Sequence, residues 1–176
     1  MIEAIKEQAA KFILRQRTSQ REFNQRNFSS VFKKSFSFLV LMPVDDKDFR
    51  LAGPILEYLK EQKKSVVVLT NDFKVSLLPT YLKANAMGHG IKDVTKLKLP
   101  ARSIITKLSN MRFDVIIDLN RQQEIFYTYL TKALSVPLKI GFVYSESDNY
   151  FNMQIANSRN EPEISYKNLL NCLRMF

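Results

Sequence analysis

The chain has 176 residues, 45% hydrophobic and 25% charged, with a single cysteine. This length suits one domain with a hydrophobic core, and the composition excludes an intrinsically disordered chain. Lysine and arginine number 27 against 17 acidic residues, a net charge of +10, which favours an anionic partner or surface. With one cysteine and no apolar run of membrane-span length, we expect a cytoplasmic protein, with a peripheral place at the inner membrane surface as an alternative.

The first segment, MIEAIKEQAAKFILRQR, predicts an amphipathic helix over residues 1–17. Five apolar residues share one face of this helix: Ile2, Ile5, Ala9, Phe12 and Ile13. Four basic residues are candidates for binding a partner or an anionic surface: Lys6, Lys11, Arg15 and Arg17. Residues 18–35 are polar and basic without a clear period, and we expect them to form an irregular arm.

The sequence predicts one α/β domain over residues 36–176. It opens with the apolar strand SFSFLVLMP, continues with a helix that carries Pro54 near its first turn, and returns with the β-branched strand SVVVLT. A strand, a helix and a strand within about 35 residues form a βαβ unit.

The second half of the chain repeats this alternation. Residues 71–100 contain one short helix candidate, a turn at Gly88 and Gly90 and a weak strand signal. The stretches ARSIITKLSNMR, QEIFYTYLTKALS and EISYKNLLNCLRMF read as helices, and FDVIIDL, PLKIGF and YFNMQIA read as strands. We therefore predict a three-layer Rossmann-like sandwich with a mostly parallel sheet, preceded by the amphipathic helix.

Ligands of doubly wound folds lie at the carboxyl ends of the strands, so the loops after the strands are the candidate site. Four residues of these loops are ligand candidates: Lys47, Asp118, Asn120 and Ser145. Carboxylates here could bind a metal or act as a general base. They could equally be helix N-caps or solvated loop residues, which applies to Asp45, Asp46, Asp48, Asp72 and Asp118.

Glycine-rich phosphate-binding patterns are absent from the sequence, since neither GxGxxG nor GxxxxGK[ST] occurs. The single histidine, His89, has no cysteine, histidine or carboxylate at ligand spacing, which favours a structural or exposed role. We nominate no metal site and expect no cofactor.

Two stretches carry a resemblance to a known enzyme family. FLVLMPVDDKDFRLAGPILEYLKEQ followed by SVVVLT, and later FDVIIDLNRQQEIFYTYLTKALSVPLKIGF, resemble the N-terminal, acceptor-side domain of heptosyltransferase-type glycosyltransferases over residues 36–143. The resemblance implies that Asp48 corresponds to the catalytic base, whereas Lys47 replaces the family's glycine. The family's donor-binding domain has no counterpart here, so we expect no nucleotide-sugar binding by this chain alone.

A second resemblance covers nearly the whole chain. The order of a basic helix, a Rossmann-like domain and the motifs at 113–119, 133–135, 139–141, 144–146 and 150–153 is similar to an uncharacterised, single-domain family of small bacterial proteins from Bacteroidota. This resemblance supports the domain limits and implies no function.

Three functions remain open at this stage. The first is a non-enzymatic interaction or regulatory domain of glycosyltransferase-like ancestry, whose N-terminal helix contacts a protein partner, a second copy or an anionic membrane. The second is the acceptor-binding half of a split glycosyltransferase, with Asp48 as general base. The third is nucleic-acid binding through residues 1–35, although the aromatic residues of this segment lack the regular setting of a stacking platform.

Overall fold

The computed structural model describes residues 2–16, 28–158 and 160–176. The helices are α1 (Ile2–Gln16), α2 (Phe28–Lys34), α3 (Asp46–Leu51), α4 (Gly53–Glu61), α5 (Thr80–Lys83), α6 (Arg102–Met111), α7 (Ile125–Ala133) and α8 (Pro162–Arg174). The strands are β1 (Ser37–Leu41), β2 (Ser65–Asn71), β3 (Ala86–His89), β4 (Val115–Asp118), β5 (Leu138–Phe142) and β6 (Met153–Ile155). Short 3₁₀ helices occupy Asp72–Leu77, Ile91–Asp93 and Ser147–Asn149.

The six strands form one parallel sheet in the order β3-β2-β1-β4-β5-β6. β1 is central and pairs with both β2 and β4, with Val40 opposite Val68 on one side and Ile117 on the other. Every residue of β4 is buried, as are four of the five in β1, because helices cover both faces of the sheet. The predicted Rossmann-like α/β sandwich is confirmed, and each strand pair of the described sheet is parallel.

One face of the sheet packs against α3, α4 and α8, and α2 joins this layer. Phe32 of α2 is buried and contacts the rings of Phe38 and Phe176 at 5.4 and 5.2 Å. The Lys64 ammonium donates to the carbonyls of residues 32, 33 and 35 and so caps the end of α2. The prediction of an irregular arm is therefore wrong for residues 28–34, because the buried Phe32 and the Lys64 ammonium hold this short helix on the core. Residues 18–27 of the predicted arm, and residue 17 at the end of the predicted N-terminal helix, lie outside the described residues.

The opposite face packs against α6 and α7, and α1 lies outside α7 as a further layer. Ala10 and Leu14 of α1 are buried beside Tyr129 of α7, and Lys132 of α7 donates to the Leu14 carbonyl. The predicted apolar face does not match the buried one, since Ile5 and Phe12 are 61% and 59% exposed. The helix is apolar along two sides, and the smaller side chains of one side allow close approach to α7.

The predicted turn at Gly88 and Gly90 is wrong for Gly88, which lies within the edge strand β3. An ideal Cβ at Gly88 would lie 2.1 Å from a carboxylate oxygen of Asp72, in the 3₁₀ helix after β2. Glycine in a strand marks a close approach of this kind. Three of the four β3 residues are only half-buried, so the strand lacks the apolar run that identifies the others.

Among the described residues, no helix has the length and apolar character needed to span a bilayer.

Candidate functional site

The switch point of the sheet lies between β1 and β4. From β1 the chain proceeds outward through β2 and β3, then returns to the other side of β1 as β4. The connections after β1 and β4 therefore leave towards opposite faces, and a crevice opens between them at the carboxyl ends of the strands. This crevice is the place where a doubly wound sheet positions ligand-binding side chains.

Asp118 and Asn120 lie at the base of this crevice, and both are buried. Asp118 is the last residue of β4, in register with Leu41 of β1, and its Oδ1 accepts hydrogen bonds from the backbone and side-chain amides of Asn120 at 3.0 and 2.8 Å. Asn120 also accepts from the Val44 amide and donates to the Met42 carbonyl. One side chain thus ties the loop after β1 to the loop after β4.

Burial raises the pKa of Asp118 to about 7, the hydrogen bonds from Asn120 oppose this rise, and the nearby Glu124 carboxylate adds to it. The carboxyl group is therefore close to half-protonated at neutral pH. Asp118 can hold or release a proton there, but its burial keeps it away from solvent.

Asp48 projects from α3 into the same region and forms a buried ion pair with Arg121. The Arg121 Nε donates to Asp48 Oδ2 at 2.9 Å, and its Nη1 donates to the carbonyl of Ser158. The other carboxylate oxygen, Oδ1, is buried and has no hydrogen-bond partner among the described residues. The guanidinium therefore links α3 to the segment before α8 and occupies the space beside the candidate base.

Arg121 is the principal residue of this crevice that the sequence analysis did not nominate. It is adjacent to the nominated Asn120, and the available signal was its position in a loop directly after a buried strand. Asp48 lies 73 positions earlier, so the pairing depends on β4 lying beside β1.

The other two nominated loop residues lie away from the crevice base. Lys47 is exposed and pairs with Glu163 of α8 at 2.9 Å. Ser145 is exposed in the turn after β5, whereas the buried serine of this loop is Ser147, which donates to Gln154 of β6. The structure therefore brings Asp48, Asp118 and Asn120 together and leaves Lys47 and Ser145 at the surface.

The structure also shows the roles of Asp45 and His89, for which the sequence analysis considered a structural role. Asp45 is the N-cap of α3, since its carboxylate accepts from the amides of Lys47 and Asp48, both at 2.9 Å. His89 is buried at the end of β3, stacks on Phe126 at 4.2 Å, and has its Nε2 2.9 Å from the Tyr127 hydroxyl. Burial lowers the His89 pKa, so the ring is neutral at physiological pH.

The basic candidates of α1 are partly neutralised within the helix. Lys6 pairs with Glu3 at 3.5 Å and Lys11 pairs with Glu7 at 2.8 Å. The side chain of Arg15, and all of Arg17, lie outside what the structure describes. Across residues 2–16, 28–158 and 160–176, no group of three or more histidine, cysteine or acidic side chains forms a metal-binding cluster.

Comparisons with known proteins identify a family without assigning an activity. No curated protein and no solved structure matches the chain. One protein family, described as "Family of unknown function (DUF6913)", matches residues 6–176, which includes most of α1 together with the whole sheet. The chain therefore belongs to this family of unknown function.

Proposed function

We propose that this chain is a non-enzymatic interaction domain of Rossmann-like architecture that associates through helix α1, and that its partner is a second copy of the chain. The observation that carries the proposal is the division of α1 into two apolar sides. Ala10 and Leu14 dock on the chain's own α7, whereas Ile5 and Phe12 face solvent. Exposure of two large apolar side chains on one side of a helix marks an interaction surface.

The exposed apolar residues of α1 favour an antiparallel pair of identical helices. Ile5 lies in the first half of the helix and Phe12, on the same side, lies in the second half. Glu3 faces the chain's own domain, where its carboxylate lies 3.0 Å from the Lys98 ammonium. In an antiparallel pair Ile5 of one copy faces Phe12 of the other. An isologous contact of this kind closes with twofold symmetry.

The crevice at the switch point also supports a role without catalysis. Arg121 engages Asp48, and Asn120 crosses the base of the crevice, so the chain's own side chains occupy the space in which a ligand of a doubly wound domain lies. The glycosyltransferase-like ancestry, like the cytoplasmic location, stays a prediction.

Sedimentation of the purified full chain over a range of concentrations tests the proposal. We expect a weak, reversible dimer, because one helix pair buries less than the roughly 800 Å² per partner of a standard interface. Replacing Ile5 and Phe12 with serine should leave a monomer. The matched control is the double variant Phe73→Ser and Leu77→Ser, which removes an equally exposed apolar pair elsewhere and should still dimerise.

Complementary charges placed on the exposed side test the antiparallel arrangement. A copy with Ile5→Glu and a copy with Phe12→Lys should each self-associate poorly and should pair with each other when mixed, because the introduced carboxylate of the first then faces the introduced ammonium of the second. A wild-type chain that stays monomeric at every concentration contradicts the proposal. Binding to anionic vesicles that is lost with Ile5→Ser and Phe12→Ser would instead assign the exposed side of α1 to a membrane surface.

A second candidate is the acceptor-binding half of a split, heptosyltransferase-like glycosyltransferase with Asp48 as the general base. The buried Oδ1 of Asp48, which has no hydrogen-bond partner among the residues that the structure describes, favours it, because that atom is available to accept a proton. Substitution Asp48→Asn should abolish sugar transfer when the chain is combined with a separately produced donor-binding domain. Transfer at the wild-type rate would exclude this role.

A further inference from the structure

A second cleft lies at the same edge of the sheet, between the carboxyl ends of β1 and β2. It has a volume of about 530 Å³ and is bounded by α3, the start of α4 and the 3₁₀ helix Asp72–Leu77. This volume lies within the range of about 300 to 1,000 Å³ that small-molecule pockets occupy. Unlike the crevice between β1 and β4, this pocket is open to solvent.

The walls of the pocket are predominantly apolar. Met42, Phe49, Leu56 and Leu78 form its buried part. The apolar surface continues outward through Phe73 and Leu77, which are 73% and 65% exposed. A pocket that is apolar from its floor to its rim accommodates an elongated apolar group better than a sugar or a nucleotide.

The helix start at Gly53 leaves part of the pocket empty. An ideal Cβ built on Gly53 has no heavy atom of the described residues within 4 Å, and Gly53 has no positive φ that would require glycine. The missing side chain therefore contributes open volume to the cleft.

Two cations line the pocket. Lys74 is buried, with its ammonium over the Phe49 ring at 5.2 Å, and it pairs with Asp46 at 2.7 Å. The Asp46 side chain is 77% exposed against 3% for Lys74, and the hydrogen bond and the charge of Lys74 lower the Asp46 pKa. The counter-ion of this buried cation thus lies on the solvent side, where another anion can replace it.

Arg50 supplies the second cation. It lines the same pocket, is exposed, and has neither a hydrogen bond nor an ion pair through its guanidinium among the described residues. Guanidinium groups bind carboxylate and phosphate groups in a bidentate manner. The pocket therefore combines an apolar interior with two positive charges and one exchangeable negative charge.

From this combination we infer that the pocket between β1 and β2 binds a single-chain amphiphile with an anionic head group. Its tail lies among Met42, Phe49 and Leu56, and its carboxylate or phosphate displaces Asp46 from Lys74 and pairs with Arg50. A free fatty acid and a lipid phosphate share this chemistry. The site is independent of the self-association proposed for α1.

Calorimetric titration of the full chain with dodecanoate, dodecyl phosphate and dodecanol, each as monomer in solution, tests the inference. We expect one molecule of either anion per chain and about tenfold weaker binding of dodecanol, because one charge-assisted contact is worth roughly that factor. The stronger of the two anions identifies the head group. No binding of either anion, or equal binding of dodecanol, would overturn the inference.

Two variants locate the site. Gly53→Leu fills the cleft and should abolish binding, whereas Arg50→Gln should weaken binding of the anions about tenfold and leave that of dodecanol unchanged. Arg102→Gln, an exposed arginine at the start of α6, is the matched control and should bind normally. The α1 variant Ile5→Ser, Phe12→Ser should also bind normally. Undiminished binding to Gly53→Leu with an unchanged unfolding midpoint would place the amphiphile elsewhere and contradict the inference.

Discussion

The two clefts at the carboxyl edge of the sheet differ in how their buried charged groups are paired. Between β1 and β4, the buried Asp48 pairs through one carboxylate oxygen with Arg121, whose side chain is only 12% exposed, and Asn120 crosses the space below them. Between β1 and β2, Lys74 is buried but its partner Asp46 stands in solvent. The first cleft is closed by interactions within the chain, and the second is open and has a counter-ion that can leave. The difference is that intrachain contacts occupy the cleft predicted by topology, while the neighbouring cleft leaves a buried cation beside open volume, as the proposed amphiphile site requires.

The largest expected effect concerns Asp118 at the base of the closed cleft. Its folded pKa of about 7 exceeds the value of about 3.9 for an unfolded chain. The folded protein therefore keeps a proton that the unfolded chain releases, and this contribution to stability is complete below about pH 4 and is lost as the pH rises through 7. The loss is on the order of 4 kcal/mol.

Substitution Asp118→Asn should remove this pH dependence, because an amide does not ionise in this range. The fold should be retained, because the asparagine Oδ1 can still accept both hydrogen bonds from Asn120. The measurement is the free energy of unfolding by urea between pH 4 and pH 8. Glu61→Gln, at an exposed carboxylate of α4, should retain the wild-type slope. An equal slope in Asp118→Asn and the wild type would show that Asp118 is charged in both states.

The next effect comes from Arg121→Met, which leaves the Asp48 carboxylate buried without a cation. Removal of one partner of a buried ion pair costs about 3 kcal/mol or more. Denaturant unfolding near neutral pH should show this loss. The double variant Arg121→Met, Asp48→Asn should recover part of it, because the uncompensated charge is gone. A loss below about 1 kcal/mol in the single variant would mean that water reaches Asp48.

The same chemical change in the open cleft sharpens the comparison. Lys74→Met also replaces a buried cation with an apolar side chain, but the Asp46 carboxylate left behind is solvated, and the other acceptor, the Val44 carbonyl, belongs to a partly exposed residue. We expect a change in unfolding free energy within about 1 kcal/mol of zero. Equal losses in Lys74→Met and Arg121→Met would contradict the distinction between the two clefts.

The smallest expected effect is an increase in stability. Gly53→Ala adds a methyl group to the first turn of α4, where no atom of the described residues lies within 4 Å. It should stabilise the protein by about 0.5 to 1 kcal/mol, because alanine has the higher helix propensity and lowers the conformational entropy of the unfolded chain. A higher midpoint of thermal unfolding is the expected result. Destabilisation would show that the open volume at Gly53 is smaller than the geometry indicates.

Local sequence was sufficient to predict those helices and strands that have a clear pattern within their own residues. The apolar runs of β1, β2 and β4 predict buried strands, and Pro54 and Asp45 mark the starts of helices. The signal failed at β3 and at α2, because a half-buried edge strand has no apolar run and α2 is held by the contacts of Phe32 with the core and by the distant Lys64. Both elements form through contacts with distant parts of the chain.

In the candidate site, too, some features could be predicted from the sequence and others only from the tertiary structure. Asp48, Asp118 and Asn120 could be nominated because residues after parallel strands converge at one edge of the sheet. Neither the pairing of Asp48 with Arg121 nor the open volume above Gly53 could be predicted, because each depends on how α3, α4 and the 3₁₀ helix after β2 pack on the sheet.

Helix α1 shows that the sequence could predict a helix but not which of its faces is buried. Its sequence determined an amphipathic helix, because apolar spacing is a property of the helix alone. Only the tertiary structure decided which side is buried, since Ala10 and Leu14 fit closely against Tyr129 of α7 while the larger Phe12 does not lie in that contact. Periodicity along a chain sets which side chains share a face, whereas shape complementarity with a distant element decides which face is covered.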